Sequence, residues 1–390
     1  MERTPLLRRP ARAKKSLAEH DRLVFLTDSF RVYDAVNGRL KVYSGPYGIH
    51  FGNSPNNTTI DNGLVYQASE DGLLALDLAS GNVQFARYFS HGYSSASECY
   101  PIIGGSHLFQ CFYNYSGSGL YCLDKLTGDT VWQADTNLGG YADDFFPTTA
   151  HTSRNIIVAG IEGPACFSKA TGRLVWNNHD SAEYARLTAC PRVCTDNRVL
   201  FFSKAQRALY AFDAENGGLL WVTDLSPFQV NCIRNPYYYD NRIYVTYEYD
   251  ASAHYDMTIL VFDIHTGQLV NQYMYPPAIH AVGYHDQYFY VFETTAFVHA
   301  TTRLSKHLLT DGTTLWSKTL AGLSEHGVVT TPRFIYCTST DGPDEPGART
   351  MNVLDQATGA LVQQYPVFTD HNSTPVVVDG AGNAWYQQRL

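Results

Sequence analysis

Eight glycines punctuate this chain at nearly even intervals: Gly38, Gly81, Gly128, Gly172, Gly217, Gly267, Gly312 and Gly359, separated by 43, 47, 44, 45, 50, 45 and 47 residues. A repeat of this length holds one supersecondary unit that cannot bury its apolar faces alone, so neighbouring copies must stack. Each glycine ends a short pattern of alternating apolar residues, then usually Asp, two residues, and Thr, Ser or Asn. An aromatic often follows four residues after the glycine. The clearest copy runs from Leu120 through Asp124, Thr127 and Gly128 to Trp132. Others are Asp77, Ser80, Gly81 and Phe85, and Asp213, Asn216, Gly217 and Trp221. Ser168, Thr171, Gly172 and Trp176 form a degraded copy, as do Asp263, Thr266 and Gly267.

Each copy predicts a hairpin. The alternation is that of a strand with one face buried, Asp offers its carboxylate to turn amides, and glycine takes a positive φ. Two further strands precede each hairpin, as in Cys190–Val193 and Val199–Phe202 around Asp196 and Asn197. Four strands per repeat and eight repeats predict an all-β, eight-bladed propeller of four-stranded antiparallel blades. The segment Thr374–Val378 has no hairpin after it, and the first hairpin (Arg31–Tyr33 with Lys41–Tyr43) has too little chain before it for a blade. Joining the two closes the ring and removes open sheet edges. The sequence leaves open whether Val24–Leu26 or the strand around Trp385 supplies the second strand of that shared blade.

The Asp-x-x-Thr-Gly-x-x-x-Trp copies resemble the repeats of the pyrroloquinoline quinone (PQQ)-like, eight-bladed propeller superfamily over about residues 23–390. That superfamily includes quinoprotein alcohol dehydrogenases and the lipoprotein scaffold of outer-membrane barrel assembly. For the dehydrogenases the resemblance implies a quinone stacked on tryptophan, a calcium ion, and often an adjacent cysteine pair. This chain departs from that pattern. It has no Cys-Cys dipeptide, and four of its tryptophans, Trp132, Trp176, Trp221 and Trp316, occupy the repeat position, with Trp385 on the closing strand. The expectation is therefore no cofactor, neither PQQ nor calcium. The scaffold role needs a lipoprotein cysteine near the start, and the first cysteine is Cys99.

Charge and composition narrow the partners. A net charge of −9 argues against nucleic acid, whose phosphates select basic clusters. No run of about 18 apolar residues is present, so no membrane span is expected. Residues 1–22 carry seven basic groups against three acids and read as a disordered arm before a single propeller domain at 23–390. The arm lacks a secretory apolar core, so the expected compartment is cytoplasmic, with a mitochondrial transit segment as the alternative. The eight cysteines are irregularly spaced and are expected to be reduced.

Chemistry is expected where one blade connects to the next, because each such connection runs inward toward the central funnel. Windows six to ten residues past the aromatic position cover about a tenth of the chain. They hold five of the 14 histidines, where an even spread would leave one or two. The candidate catalytic residues are His50, His91, Tyr93, Tyr141, Tyr184, His280, His326 and His371. The candidate ligand-binding residues are Glu183, Arg186, Gln229, Glu325 and Asp370. Imidazoles titrate near neutrality and phenols donate or accept protons, while Arg186 suits a carboxylate. No single set has metal-ligand spacing, so no metal site is assigned. The expectation is a small organic molecule worked on by acid–base chemistry of isomerase, lyase or cyclase type. A non-catalytic scaffold for a protein partner is the rival, and a PQQ-dependent dehydrogenase the second alternative.

Overall fold

The computed structural model describes residues 21–26, 29–35, 37–44, 58–68, 72–89, 100–114, 117–136, 148–160, 163–178, 187–195, 197–203, 206–228, 236–248, 257–275, 279–294, 301–322, 328–339, 347–369, 376–381 and 383–386. Within them the chain forms eight antiparallel sheets and, apart from one 3-10 turn at Ser226–Phe228, no helix. Seven sheets are single repeats of four strands in chain order. Blade 2, for example, comprises Thr58–Asp61, Leu64–Ala68, Gly72–Asp77 and Val83–Tyr88. Blades 3 to 8 follow in sequence. Blade 1 is the shared one. Its outer three strands are Leu40–Ser44, Phe30–Asp34 and Arg22–Leu26, and Val376–Val378 pairs antiparallel with Arg22–Leu26 to complete four. The Val24 strand therefore takes the second position, and Ala384–Trp385 adds a fifth strand on the axial side of Val376–Val378.

Packing follows the ring. Each of the eight apolar clusters joins two consecutive blades. One combines Leu200, Phe202 and Trp221 of blade 5 with Ile243, Leu260 and Phe262 of blade 6. Another combines Tyr336, Met351 and Tyr365 of blade 8 with Leu23, Phe25 and Val377 of blade 1, and so closes the circle. Both faces of each inner sheet are thus buried, which is why the second and third strands read as nearly continuous apolar runs.

The repeat motif is a joint between blades. All eight pattern glycines have φ between +69° and +75°, the left-handed region where a side chain strains the backbone. A Cβ built on Gly217 would lie 2.7 Å from the Trp176 ring, so the bare glycine lets the preceding blade's aromatic approach. The residue after the motif's Asp then binds in two directions. Its N–H donates to the carbonyl of the turn between the first two strands of its own blade, as Ile264 does to Asn241 at 3.0 Å. Its carbonyl accepts from the previous blade's aromatic, as Ile264 does from Trp221 Nε1 at 2.9 Å. Trp132, Trp176 and Trp316 repeat this bond to Lys169, Ala214 and Gln356.

In blades 6 and 8 the aromatic stands two residues later than the fourth position. Tyr273 and Tyr365 donate through their hydroxyls to Leu309 and Ala35, both at 2.8 Å. A shift of two keeps a strand residue on the same face, so the joint survives. Phe85 has no donor, and Tyr66 of the same blade supplies the bond to the Lys125 carbonyl at 2.9 Å. Between blades 1 and 2 the outermost strand supplies no ring: Val42 and Ser44, with the Phe30 ring of the neighbouring strand, surround Gly81.

Candidate functional site

The turns between first and second strands and those of the Asp motif are hydrogen-bonded to each other in blades 2 to 8, and in blade 1 the Ala35 amide bonds to the Asp21 carbonyl just before the second strand, so these turns share one face. The inner strands begin on the opposite face, where the inter-blade connections arrive at the axis. His50, His91, Tyr93, Tyr141, Glu183, Tyr184, Arg186, Gln229, Glu325, His326, Asp370 and His371 lie outside the described residues. His280 lies in the inner strand of blade 7, Ile279–His285, at a register shift between Ile279 and Ala281 near the strand's first residue. The long loops around residues 249–256 and 340–346 also fall outside the described residues.

Beneath the connection face the structure buries polar side chains that the sequence reading did not single out. Thr58 opens the inner strand of blade 2, and its hydroxyl donates to Oε1 of Gln67 on the neighbouring strand. Gln67 Nε2 donates to the Ala68 carbonyl at 3.0 Å. Gln110, on the second strand of blade 3, donates to the Cys111 carbonyl at 3.1 Å. The Thr149 hydroxyl, one residue into the inner strand of blade 4, is buried with no hydrogen-bond partner among the described residues. Ser203 and Ser339 end the second strands of blades 5 and 8 and are buried. A polar residue interrupting an apolar run, as in Tyr66-Gln67-Ala68 or Phe109-Gln110-Cys111, is the signal that could have found them. Buried polar groups are costly unless hydrogen-bonded, so the unpartnered Thr149 hydroxyl stands out.

The turn-side mouth of the axis is different. After Val378 the chain turns at Asp379, whose carboxylate accepts from the Ala381 and Asn383 amides, both at 2.9 Å. It then runs back as Ala384–Trp385. The Trp385 ring meets the His285 imidazole edge-on, centroids 5.8 Å apart, at the turn-side end of the blade 7 inner strand. Tyr386 accepts a 2.5 Å hydrogen bond from the Ile60 amide in the inner strand of blade 2. Three consecutive residues of the last segment thus touch blades 1, 2 and 7 around the axis. His285 is buried, and its Nε2 lies 3.5 Å from the exposed Asp286 carboxylate. Burial pushes its pKa down; Asp286 draws it up and Lys306 pushes it further down.

In blade 7 a second histidine, His307, is stacked on Phe289 and joined to the Ser305 hydroxyl at 2.7 Å through Nε2. Both residues are buried between blades, and burial lowers the His307 pKa. Among the described residues no three His, Cys, Asp or Glu side chains gather to hold a metal ion. Four tryptophans serve the blade joints and Trp385 packs against His285, with its Nε1 donating to Asp379 at 3.4 Å. All five tryptophans are thus engaged in packing contacts among the described residues.

The fold, the eight-fold repeat and the joint chemistry define an eight-bladed β-propeller. A PQQ-type family model described as outer membrane protein assembly factor BamB matches residues 162–322. The solved structure of BamB from Moraxella catarrhalis is similar, at TM-score 0.55 and 17% identity, covering 82% of this chain and 93% of that one. Dihydro-heme d1 dehydrogenase NirN, in complex with DHE, gives TM-score 0.64 at 15% identity over 95% of this chain and 78% of its own. Quinohemoprotein alcohol dehydrogenase from Comamonas testosteroni gives 0.53 at 12% identity over 82% and 69%. At these identities the likeness is one of fold. No curated protein matches the sequence. Among the described residues no helix is long and apolar enough to cross a membrane.

Proposed function

We propose that this propeller binds a small organic molecule at the axial mouth on its connection face and acts on it by acid–base chemistry without a redox cofactor. The observation that carries the reading is the asymmetry of the axis. The last strand lies across the turn-side mouth, so this reading takes the opposite mouth, where the described inner strands begin, as the way in; the histidine-bearing windows precede those strands in the sequence. The buried Thr58–Gln67 pair and the Thr149 hydroxyl add polar groups at the same end of the blades. In this reading His50, His91, His280, His326 and His371 move protons with Tyr93, Tyr141 and Tyr184, as isomerisation, elimination or cyclisation requires. Arg186 pairs with a carboxylate of the ligand, with Gln229 and the acids Glu183, Glu325 and Asp370 as polar contacts.

A thermal-shift screen of small organic acids tests it. A ligand that stabilises the protein should lose its shift, and any turnover should fall at least about a hundredfold, in His280→Ala, His326→Ala or His371→Ala. Binding and turnover left intact in all three would end the reading. One observation favours a protein-interaction scaffold instead. In the outermost strands of blades 4, 5, 6 and 8 an apolar pair beside the turn is exposed, as at Leu219 and Leu220 (42% and 43%) and Leu269 and Val270 (42% and 46%). Recovery of one stoichiometric protein partner, lost in Leu220→Asp, with no organic acid raising the melting temperature, would select the scaffold.

A further inference from the structure

We infer that Ala384, Trp385 and Tyr386 form a detachable plug in the turn-side mouth of the axis, a gate that the closed ring does not need. The argument starts from strand number. Seven blades are complete at four strands, and blade 1 also reaches four with Val376–Val378. Ala384–Trp385 is a fifth strand, surplus to the repeat. Among the described strands, Val376–Val378 is the one inner strand paired on its axial side as well.

The segment is held lightly. Its ladder consists of Val377 opposite Trp385 and Val378 opposite Ala384. Among the described residues it has, beyond blade 1, one hydrogen bond to blade 2, from the Ile60 amide to the Tyr386 hydroxyl, one ring contact to blade 7, Trp385 on His285, and partly buried packing of Ala384 and Trp385 on the apolar clusters that blade 1 shares with blades 2 and 8. The self-contained Asp379–Asn383 turn, fastened to blade 1 through the Gly380 amide and the Asp21 carboxylate at 2.9 Å, supplies a fixed hinge point. Ladders this short open at low free energy while the sheets behind them stay closed. Opening uncovers the His285 imidazole beside Asp286.

Diethyl pyrocarbonate, which acylates accessible imidazoles, tests the plug without knowledge of any ligand and independently of the proposed acid–base chemistry. In the full chain His285 should react far more slowly than the exposed His265. In a chain ending at Asn383, and in Trp385→Ala, His285 should react on the order of tenfold faster, while His307 stays protected. In the full chain the Ile60 amide should exchange its hydrogen well before the amides of Gly72–Asp77, a strand paired on both sides. Equal His285 reactivity with and without the segment overturns the inference. So does Ile60 exchange that keeps pace with Gly72–Asp77, or truncation that exposes His307 as well, since either makes the segment a structural strand.

Discussion

Trp221 holds blade 5 to blade 6 by two separate means, a ring laid over Gly267 and an indole N–H given to the Ile264 carbonyl. The two can be separated by substitution. Trp221→Phe keeps most of the ring and leaves a buried carbonyl without its donor, which should cost about 1–3 kcal/mol. Trp221→Ala should cost about 3–5 kcal/mol, because the ring's volume is lost from the cluster as well. Urea unfolding of both variants measures the difference; equal losses would mean that the hydrogen bond carries no weight. Gly217→Ala is expected to cost at least about 2 kcal/mol. It places a Cβ at φ +74° and pushes it toward the Trp176 ring. These two positions explain why the glycine and aromatic recur in the sequence while the residues between them drift.

At the scale of the hairpin, the Asp of the motif is a cap and the glycine is the hinge. Asp355 accepts from the Ala357 and Thr358 amides and the Thr358 hydroxyl, Asp77 accepts likewise from Ala79 and Ser80 in blade 2, and Asp124 accepts from the Leu126 and Thr127 amides in blade 3. Where Ser168 or Leu308 replaces Asp, the backbone bond from glycine persists, Gly172 to Ser168 at 2.8 Å and Gly312 to Leu308 at 3.0 Å. The turn therefore forms without the carboxylate and is stabilised by it. Asp355→Ala should lower stability by about 1 kcal/mol. The Thr358 hydroxyl lowers the pKa of Asp355, the Ser80 hydroxyl that of Asp77, and the Thr127 amide that of Asp124. A lowered folded-state pKa contributes stability that is present above the unfolded value of about 3.9 and is lost as pH falls through the folded value. Melting temperature should drop steeply below about pH 4, and Asp77→Asn combined with Asp355→Asn should flatten that drop. An unchanged acid profile in the double variant would show that these caps are not what titrates.

Over the whole molecule the aromatic excess becomes a buried phenol array. Burial raises the pKa of Tyr66 and of Tyr244 to about 12, and pushes those of Tyr284, Tyr336 and Tyr365 higher still. Groups raised in this way contribute stability that is full below the unfolded value of about 10 and is lost as pH rises through the folded values. The tyrosinate absorbance of these buried phenols should therefore appear in one cooperative step that coincides with loss of the β-sheet circular dichroism signal, above about pH 11. Full tyrosinate absorbance reached while the fold is intact would contradict it. The blade count, the four-strand repeat, the turn glycines and the joining of the chain's two ends were legible in the sequence, because each rests on periodicity and local turn chemistry. Tyr273 and Tyr365 were hidden by their two-residue shift, a displacement that strand geometry tolerates and a fixed-spacing pattern misses. Of the candidate ring, the sequence supplied residue types at inter-blade positions, and the described structure places the backbone of His280 at the start of an inner strand. The fifth strand, its contacts with His285 and Ile60, and the polar residues beneath the connection face were decided by tertiary structure alone. They join positions as far apart as Ile60 and Tyr386, and a closed ring brings such positions together only when every blade between them has formed.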